Sequence, residues 1–422
     1  MCPGTANSEP RAGPRVAFFP DTFDEVDGVA NTAKNFQAFC RRRRLPMLMV
    51  CGGSENLVER NGCLTRLAFD RGPVGFPLDR HHGFDLAFWR HYGQAEEEVR
   101  RFQADIVHIT GPSDVGQMGV LVVRSLKIPL AASWHTNLHE FAERRATATV
   151  RWLPELLRNH LGNAICQLCL LALLRFYRLA RLLFAPNEEL IELLKAGTGK
   201  PCYPMRRGVD TTLFDPRRRT RHDQRFVLGY VGRLTAEKNI RALSDLEKAL
   251  EQAGLRDFRF LIVGQGAERP WLESQMRHAG FAGVLHGERL AEAYANMDLF
   301  VFPSRTDTYG NVVLEALASG VPAIVTDSGG PRFIVRSGET GFIAKDMGAF
   351  VEHATMISAR PELLEQMRRS ARDYALSATW DAVFESVYSR YEQWLRSWAR
   401  EKRAALGLKG ITRTSSNSHQ AI

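Results

Sequence analysis

The segment 303–322, PSRTDTYGNVVLEALASGVP, constrains the fold of this chain more than any other. It follows the apolar run 298–302 (DLFVF), which is typical of a buried parallel strand. Asp307 and Glu315 lie on either side of Gly310, where the pattern predicts the start of a helix. Such a helix directs unpaired backbone N–H groups and its positive dipole end into the crevice at the end of the strand. The segment therefore predicts a site for a ligand with both anionic and polyol parts.

Strand-like runs alternate with helical segments in two successive sets. The predicted strands are 15–20, 46–50, 104–110, 129–134 and 181–186 in the first set, and 226–232, 258–264, 284–287, 298–304 and 323–327 in the second. Helices are predicted from about Val29 and over 240–253. This alternation predicts βαβ units and a parallel sheet in each set. We expect an α/β protein with two Rossmann-like domains that face a central cleft.

The ends of the chain differ from its two α/β halves. Aromatic residues from Trp380 to Trp398 recur every three or four positions after Thr379, a plausible N-cap, so the last helix needs a large partner surface. We expect this helix to cross back to the first domain. The predicted units are a disordered N-terminus (1–14), an N-terminal Rossmann-like domain (15–203), a C-terminal Rossmann-like domain (204–376), a crossover helix (377–401) and a flexible tail (402–422).

Composition limits the classes of partner. The chain has 422 residues and a net charge of +9, which favours anionic partners over a neutral ligand, although an Arg-rich surface without function fits equally. No aromatic-basic motif supports nucleic-acid binding. The seven cysteines do not form a disulfide scaffold, and Cys166 and Cys169 lack a second pair, so we interpret them as buried apolar packing. No metal and no cofactor is expected.

Two further segments bear on localisation. Residues 1–14 lack the apolar core of a signal peptide, and the apolar segment 164–174 is shorter than the roughly 20 residues of a spanning helix. We therefore expect a cytoplasmic protein. The basic run 41–44 and the Leu-rich, Arg-edged segment 164–184 favour peripheral contact at the inner face of the membrane. A buried helix with a solvated basic edge is the alternative.

Two cations follow the first strand of the second set. Arg233 and Lys238 leave the carboxyl end of that strand, where open α/β sheets bind ligands, and together they can hold a diphosphate. A solvated pair of surface charges is the alternative. Gly264 and Gly266 begin a G-x-G-x-x-G pattern, but Arg269 occupies the third glycine position. This pattern is a weak NAD site and reads better as a tight turn.

The first set contributes two candidates. Gly28 and Val29 open a helix after the first strand, and a glycine there allows close approach of the backbone to a ligand. His135 ends another strand of the same sheet and should face the cleft between the domains. A structural histidine is the alternative reading.

These motifs together resemble family 4 of the retaining glycosyltransferases, which have the two-domain GT-B fold. The resemblance covers about residues 15–400. It rests on three motifs, with weaker support at HT (135–136) and RGVDTTLFDP (207–216): GRLTAEKN (232–239), VGQGAER (263–269) and FPSRTDTYGNVVLEALASGVPAIVTDSGGP (302–331). The branch it resembles most contains mannosyl- and sulfoquinovosyl-type transferases that act on lipids.

The resemblance implies a role for each candidate residue. The donor is a nucleotide sugar, such as GDP-mannose or a UDP-sugar, and a hexose passes to a hydroxyl of an unknown lipid or glycan acceptor. The implied catalytic residues are His135, Arg233, Lys238 and Asp307; the substrate-binding residues are Gly28, Val29, Asp307, Tyr309, Gly310, Asn311 and Glu315; the nucleotide-binding residues are Arg233, Lys238, Gly264, His286, Glu288, Val312 and Glu315. The resemblance also makes 15–203 the acceptor domain and 204–376 the nucleotide-sugar donor domain. The chain departs from the family at Asp307, where many members have Glu, and in having the single Gly28 instead of a glycine pair.

The implied chemistry is metal-independent, because fixed cations can stabilise the departing phosphate. Asp307 and Glu315 are spread along a helix start and are assigned to binding, not to nucleophilic attack. Three alternatives remain: a nucleotide-sugar epimerase of the same fold, a non-catalytic nucleotide-sugar-binding protein, and a Rossmann dehydrogenase, which the broken glycine pattern disfavours.

Overall fold

The computed structural model describes residues 13–25, 28–72, 75–77, 83–150, 152 and 154–405. Within these residues the chain forms two α/β halves and one long C-terminal helix. The predicted segments 1–14 and 402–422 lie mostly outside the described residues. Residues 402–405, which were assigned to the predicted tail, are the last residues of a helix.

The first half is built on an eight-stranded sheet. The strands of this half are β1 (Val16–Phe19), β2 (Met47–Gly53), β3 (Leu57–Asn61), β4 (Leu64–Asp70), β5 (Gly75–Pro77), β6 (Gly83–Asp85), β7 (Ile106–Ile109), β8 (Leu130–Ser133), β9 (Leu182–Ala185) and β10 (Cys202–Pro204). The sheet has the order β10-β9-β8-β7-β1-β2-β4-β3 and is parallel except that β3 pairs antiparallel with β4, while β5 and β6 form a separate antiparallel pair. The helices are α1 (Gly28–Arg43), α2 (Tyr92–Phe102), α3 (Asp114–Leu126), α4 (Leu138–Thr149), α5 (Glu155–Tyr177) and α6 (Glu188–Thr198).

The second half is built on a six-stranded, wholly parallel sheet. Its strands are β11 (Phe226–Val231), β12 (Phe258–Val263), β13 (Ala279–Gly283), β14 (Leu299–Phe302), β15 (Ala323–Thr326) and β16 (Gly341–Ala344), in the order β13-β12-β11-β14-β15-β16. Its helices are α7 (Ala242–Gln252), α8 (Arg269–Gln275), α9 (Gly287–Ala295), α10 (Asn311–Ala318), α11 (Met347–Ser358) and α12 (Pro361–Ser377). The core strands of both sheets are buried along their whole length, which explains their continuous apolar runs.

The last helix, α13 (Trp380–Ala405), returns to the first half as predicted. Thr379 caps its N-terminus by accepting a hydrogen bond from the Ala382 N–H at 3.2 Å. Its buried aromatic face packs on α1, where Phe384 stacks on Phe36 with ring centroids 4.5 Å apart. Ion pairs also join Arg42 and Arg43 of α1 to the acids Asp381 and Glu385 of α13. Two of the four residues of the basic run 41–44 therefore pair with the crossover helix, and both side chains remain half-exposed.

The order of the strands places the crevices. β1 lies between β2 and β7, and β11 lies between β12 and β14, so the direction of winding reverses at the first strand of each sheet. At each reversal the loops that leave two neighbouring strands diverge to opposite faces of the sheet and open a crevice at its carboxyl edge. These neighbours are β1 and β7 in the first sheet and β11 and β14 in the second. Gly28 follows β1 and Gly232 follows β11, so the predicted ligand loops lie at both switch points.

Two predictions about local structure are wrong. Residues 284–287 do not form a strand: the strand is β13, an edge strand of Gly and Ala residues that carries no β-branched or alternating signal. The apolar segment 164–174 was predicted to be too short to span a membrane, but it is part of α5, which begins at Glu155. By length and composition α5 is the one described helix that could cross a membrane, and only 17% of its apolar window is buried. Cys166 and Cys169 lie on this helix and are only partly buried.

Candidate active site

The carboxyl edges of the two sheets face each other across a cleft of about 430 Å³. The predicted residues that line it are Gly28, Val29, His135, Arg233, Lys238, Asp307, Tyr309, Gly310, Asn311 and Val312. Sequence analysis missed Thr136, Arg207, Tyr230, Phe302 and Thr306, which also line it. Four predicted residues, Gly264, His286, Glu288 and Glu315, are not part of the cleft lining. The cleft is shared by both halves of the molecule, as the two switch points require.

The loop after β11 carries the two predicted cations. Gly232 has φ of +153°, a value that L side chains rarely adopt, and it turns the chain away from the strand. The second half's G-x-G turn packs directly on this loop: a Cβ on Gly264 would lie 1.9 Å from the carbonyl oxygen of Gly232. Gly264 therefore supports the cation loop through backbone packing. This confirms the interpretation of the G-x-G pattern as a tight turn.

Lys238 and Asp307 form an ion pair in the cleft. The Lys238 Nζ lies 2.6 Å from Asp307 Oδ1, and both side chains are mostly buried, at 15% and 20% exposure. The second carboxylate oxygen, Asp307 Oδ2, is buried and has no hydrogen-bond partner among the described residues. A buried acceptor without a donor is costly, so Oδ2 is a natural position for a ligand hydroxyl. Arg233 is more exposed, at 67%, and pairs with Glu237 at 2.6 Å.

The segment after β14 turns sharply into α10, as predicted. Gly310 has φ of +100° and precedes the first helical residue, Asn311. The loop is fixed from behind, where the Gly330 N–H donates to the Asp307 carbonyl at 2.6 Å, and a Cβ on Gly330 would lie 2.1 Å from the Thr308 carbonyl oxygen. The N-terminal N–H groups of α10 therefore stand beside Lys238 at the cleft, a combination that suits an anion.

Glu315 lies one turn further along α10 and is half-buried. Its Oε2 accepts a hydrogen bond from the Tyr294 hydroxyl at 2.9 Å. Burial raises the pKa of Glu315 to about 7, and the bond from Tyr294 offsets part of that effect. Near neutral pH this carboxyl therefore changes its protonation state readily.

The first half contributes an uncharged wall. His135 is 94% buried, and its Nε2 lies 2.6 Å from the Ser133 hydroxyl, which in turn contacts His108 Nε2 at 2.9 Å. Burial, together with the nearby Arg207 guanidinium, holds the pKa of His135 well below its usual range, so the imidazole is neutral. Gly28 leaves open space, because a Cβ placed on it meets no described atom within 4 Å.

Arg207 joins the two halves beside His135. It is 96% buried, its guanidinium donates to Thr32 Oγ1 of α1 at 2.7 Å, and its carbonyl accepts from the Tyr309 hydroxyl at 3.3 Å. Burial of a guanidinium at a cleft is unusual and marks a third cation of the site. The motif RGVD at 207–210 contained this signal, but a lone arginine outside a strand end did not identify its position.

Solved structures share this architecture. Sucrose-phosphate synthase from Thermosynechococcus elongatus aligns with a TM-score of 0.67 at 18% identity, covering 91% of this chain and 100% of that one. WaaG, a glycosyltransferase involved in lipopolysaccharide biosynthesis, aligns with a TM-score of 0.58 at 14% identity, covering 89% of this chain and 99% of the other. Two Rossmann-like halves around a shared cleft therefore define a GT-B fold.

Sequence comparison gives the family. The model for Glycosyltransferase Family 4 matches residues 26–213, and the model for glycosyl transferases group 1 matches residues 225–359. A GDP-mannose-dependent alpha-mannosyltransferase of Mycolicibacterium smegmatis is 33% identical over 70% of this chain and 75% of its own length. Sulfoquinovosyl transferase of Arabidopsis thaliana is 26% identical over 95% of this chain and 77% of its own length. The chain is a glycosyltransferase and belongs to family 4, as the resemblance implied.

Proposed function

We propose that the protein transfers a hexose, with retention of anomeric configuration, from a nucleoside-diphosphate sugar to an acceptor hydroxyl. The observation that carries the proposal is the pair of Lys238 and Asp307 at the N-terminus of α10, with Asp307 Oδ2 unpartnered. The cation and the helix N-terminus suit a diphosphate, and the free carboxylate oxygen suits a sugar hydroxyl. The similar mycobacterial protein is named as GDP-mannose-dependent, so GDP-mannose is the first donor to test.

Negative charge develops on the departing phosphate during transfer. Lys238 is mostly buried beside the helix N-terminus, so its charge is only weakly screened by water. Arg233 is more exposed and is assigned the outer phosphate. Binding of the diphosphate then exchanges the Lys238–Asp307 pair for a Lys238–phosphate pair, and Asp307 turns to the sugar.

Retention follows in this proposal from attack on the same face as departure. Asp307 is the only carboxylate among the described residues that line the cleft, and it is paired with Lys238, so it is poorly placed to act as a nucleophile. The acceptor hydroxyl instead attacks beside the leaving phosphate oxygen, which takes its proton. The names of the relatives agree with this course, because the mannosyl group of GDP-mannose is α-linked and these relatives are named GDP-mannose-dependent alpha-mannosyltransferases.

The chemistry is proposed to need no metal. The described residues contain no group of three or more His, Cys, Asp or Glu side chains placed to hold one, and the lining supplies cations in place of a metal's charge. We assign the ribose hydroxyls to Glu315 and the base to the start of α9, near His286 and Glu288. Glu288 is exposed and pairs with Arg218 at 3.4 Å, so in this assignment the base would replace or adjoin that surface ion pair.

A donor screen tests the proposal. Thermal unfolding is measured with GDP, UDP, GDP-mannose and UDP-hexoses, and the donor that raises the midpoint most is incubated with candidate acceptors. We expect nucleoside diphosphate release that depends on acceptor, survives EDTA, and gives a product with the donor's anomeric configuration by NMR. Conversion of the donor's sugar to an epimer without acceptor would favour the epimerase. Binding without turnover on any acceptor would favour the binding protein.

The acceptor side is proposed to face a membrane through α5. One side of this helix packs closely on α4, because a Cβ on Gly162 would lie 2.6 Å from Thr147. The opposite side exposes leucines spaced so that they share one face of the helix, with Leu157 at 55% and Leu168 at 67% exposure. The other exposed leucines of this face are Leu161 and Leu171. So large an apolar stripe on a folded surface marks an interaction site.

Charge favours an anionic lipid surface as the partner. Beyond the C-terminal end of α5, Leu179 lines a groove of about 310 Å³ between α3 and α13. The cations Arg124, Lys127 and Arg181 line this groove and form no ion pair with any described residue; Trp394 and Trp398 line it too. Leucines, tryptophans and unpaired cations side by side are the composition of proteins that contact anionic membrane surfaces.

Vesicle sedimentation tests this surface. We expect the protein to bind vesicles that contain phosphatidylglycerol more than neutral phosphatidylcholine vesicles, with binding weakened by salt. Leu161→Gln with Leu168→Gln should abolish most of the binding. Leu376→Gln is the matched control, because Leu376 is also exposed, at 48%, but lies on α12 of the second half. Equal binding to both vesicle types, or a dimer in light scattering that the double variant dissociates, would contradict the membrane proposal.

A further inference from the structure

A chain of buried hydrogen bonds connects the crossover helix to the cleft. The Tyr391 hydroxyl of α13 bonds to His108 Nδ1 on β7. His108 Nε2 lies 2.9 Å from the Ser133 hydroxyl at the end of β8, and that hydroxyl lies 2.6 Å from His135 Nε2. All four side chains are at least 94% buried. These hydrogen bonds therefore connect Tyr391, which does not line the cleft, to His135, which does.

Donor counting fixes the direction of the first bonds. Burial raises the pKa of Tyr391 well above its usual value, so the phenol keeps its proton. His108 Nδ1 is the only hydrogen-bond partner of that phenol within the described part of the chain, so the phenol donates to it. Burial lowers the pKa of His108 to about 3, so His108 is neutral and carries its one hydrogen on Nε2. That N–H donates to the Ser133 hydroxyl.

The same counting fixes His135. The Ser133 hydroxyl already accepts from His108, and its own hydrogen points to His135 Nε2. The neutral His135 must then carry its hydrogen on Nδ1, an atom that is buried and has no partner among the described residues. The reverse direction is worse, because it leaves the Tyr391 hydrogen unpaired in the core as well as an unpaired His135 Nδ1. Each buried polar group without a partner is destabilising, so the arrangement that leaves only one is favoured.

We propose that Tyr391, acting through His108 and Ser133, sets the tautomer of His135, so that His135 offers an Nδ1–H donor to the bound sugar nucleotide. This inference rests on the proposed function, in which His135 faces the transferred sugar. The neutral donor stabilises an oxygen without adding a positive charge next to the buried Arg207. Tyr391, His108 and Ser133 are positioning residues, since they act only through His135.

The free protein provides the first test. Long-range proton–nitrogen NMR spectra of the full chain, labelled with ¹⁵N at histidine, distinguish the two tautomers of His135, with a His135→Asn variant to assign its signals. We expect the Nδ1–H form in the wild type and a mixture of both forms in Tyr391→Phe. Tyr388→Phe is the matched control, because the buried Tyr388 hydroxyl of the same helix bonds to Cys40 Sγ at 3.3 Å and takes no part in the hydrogen bonds that lead to His135. Its His135 signals should match the wild type.

Kinetics provide the second test. We expect Tyr391→Phe to lower kcat about tenfold while Tyr388→Phe stays within about twofold, and both to bind free nucleoside diphosphate as the wild type does. Ser133→Ala removes the hydrogen bond next to His135. It should lower kcat in the same way and replaces Tyr391→Phe as the test if that variant does not fold. An Nε2–H tautomer in the wild type, or equal spectra in the two tyrosine variants, overturns the inference. The NMR result needs no donor, so a failure to find sugar transfer would overturn the proposed function alone.

Discussion

The two walls of the cleft are built on opposite physical principles. The second half presents charged side chains on loops that leave strand ends: the mostly buried pair Lys238 and Asp307, and the exposed Arg233. The first half presents His135, which is neutral because it is buried and is held by hydrogen bonds from behind. Charges on a wall bind a diphosphate strongly. A neutral wall can orient a sugar without competing for the phosphate.

The comparison also concerns how far each wall depends on distant parts of the chain. The charged wall is assembled within short motifs, although Lys238 and Asp307 come from two of them. The neutral wall depends on Tyr391, which lies 283 residues from His108 in sequence. We therefore expect changes in the charged wall to act on donor binding and leaving-group departure. Changes in the neutral wall should act on the position of the sugar.

The largest effect is expected from the phosphate cations. Lys238→Ala should lower kcat/KM about 100- to 1,000-fold, because it removes a mostly buried charge from the leaving phosphate. Arg233→Ala should have a smaller effect, since its guanidinium is 67% exposed and more strongly screened. Steady-state kinetics with the donor found by the screen measure both.

Lys195→Ala is the control for these variants, because Lys195 is a surface lysine of α6 that pairs with Glu192. It should retain wild-type kinetics. Activity within a factor of two of wild type in both cleft variants would remove the cations from the mechanism and with them the contrast between the walls.

Asp307 tests whether the charged wall also holds the sugar. Asp307→Asn keeps the shape but removes the charge, and Asp307→Glu moves the oxygens by about 1 Å; each should lower kcat about a hundredfold. Affinity for the free nucleoside diphosphate should stay the same or rise, because Lys238 loses its partner in the empty cleft. Calorimetric titration with the diphosphate measures this. A loss of affinity as large as that of Lys238→Ala would show that Asp307 acts by holding the loop.

The sequence predicted the charged wall more completely than the neutral one, and the reason is physical. Strand-end loops with glycine and charge produce local patterns, so Arg233, Lys238, Asp307 and Gly310 were each identified from a single motif. His135 was identified only as the end of a strand. Its direct partner is Ser133, two residues away, but the hydrogen bonds behind Ser133 come from β7 and α13, and nothing in the local sequence around His135 indicates those.

The fold shows the same division. Buried parallel strands such as β1 and β14 produced apolar runs and were predicted, whereas the edge strands β3, β10, β13 and β16 were not, and neither was the interior strand β4, whose apolar run is interrupted by Thr65 and Arg66. Edge strands are short, exposed on one side or rich in Gly and Ala, so their sequences lack an apolar run or alternation. Arg207 was missed as a cleft residue for a related reason, since its burial depends on Thr32 and Tyr309 from two other parts of the chain.

Glu315, one turn along α10 from the cleft, should make both stability and ligand binding depend on pH. Burial raises its pKa from 4.5 to about 7, so the folded protein holds this proton more tightly than the unfolded chain does. Its contribution to stability is therefore largest at low pH and falls as pH rises from about 4.5 to about 7. Ligand binding should show the opposite sign, because ribose hydroxyls donate best to the ionised carboxylate.

We expect affinity for the nucleoside diphosphate to rise about tenfold between about pH 6 and pH 8. Glu315→Gln should bind weakly and with little dependence on pH over that range. Titrations at several pH values with both proteins measure the difference. A parallel rise in the two proteins would assign the dependence to another group, such as the phosphate itself.

The smallest effect is expected at Gly28, and it separates stability from function. Gly28 is the first residue of α1, and a Cβ there meets no described atom within 4 Å, so the fold itself does not require glycine. Gly28→Ala should leave the unfolding midpoint unchanged or slightly higher, because Ala is favoured over Gly in a helix by up to about 1 kcal/mol. The added methyl group projects at the cleft wall, so kcat/KM should fall about three- to fivefold through displacement of the sugar. Gly93→Ala is the matched control, since Gly93 is also an exposed residue in the first turn of a helix, has no described atom within 4 Å of its Cβ position and does not line the cleft. The two variants should therefore have similar unfolding midpoints, measured by thermal unfolding, and different kcat/KM values, measured by steady-state kinetics. A drop in the unfolding midpoint of Gly28→Ala alone would mean that the glycine serves the turn into α1, and the neutral wall would then reach the sugar through His135 without help from the α1 backbone.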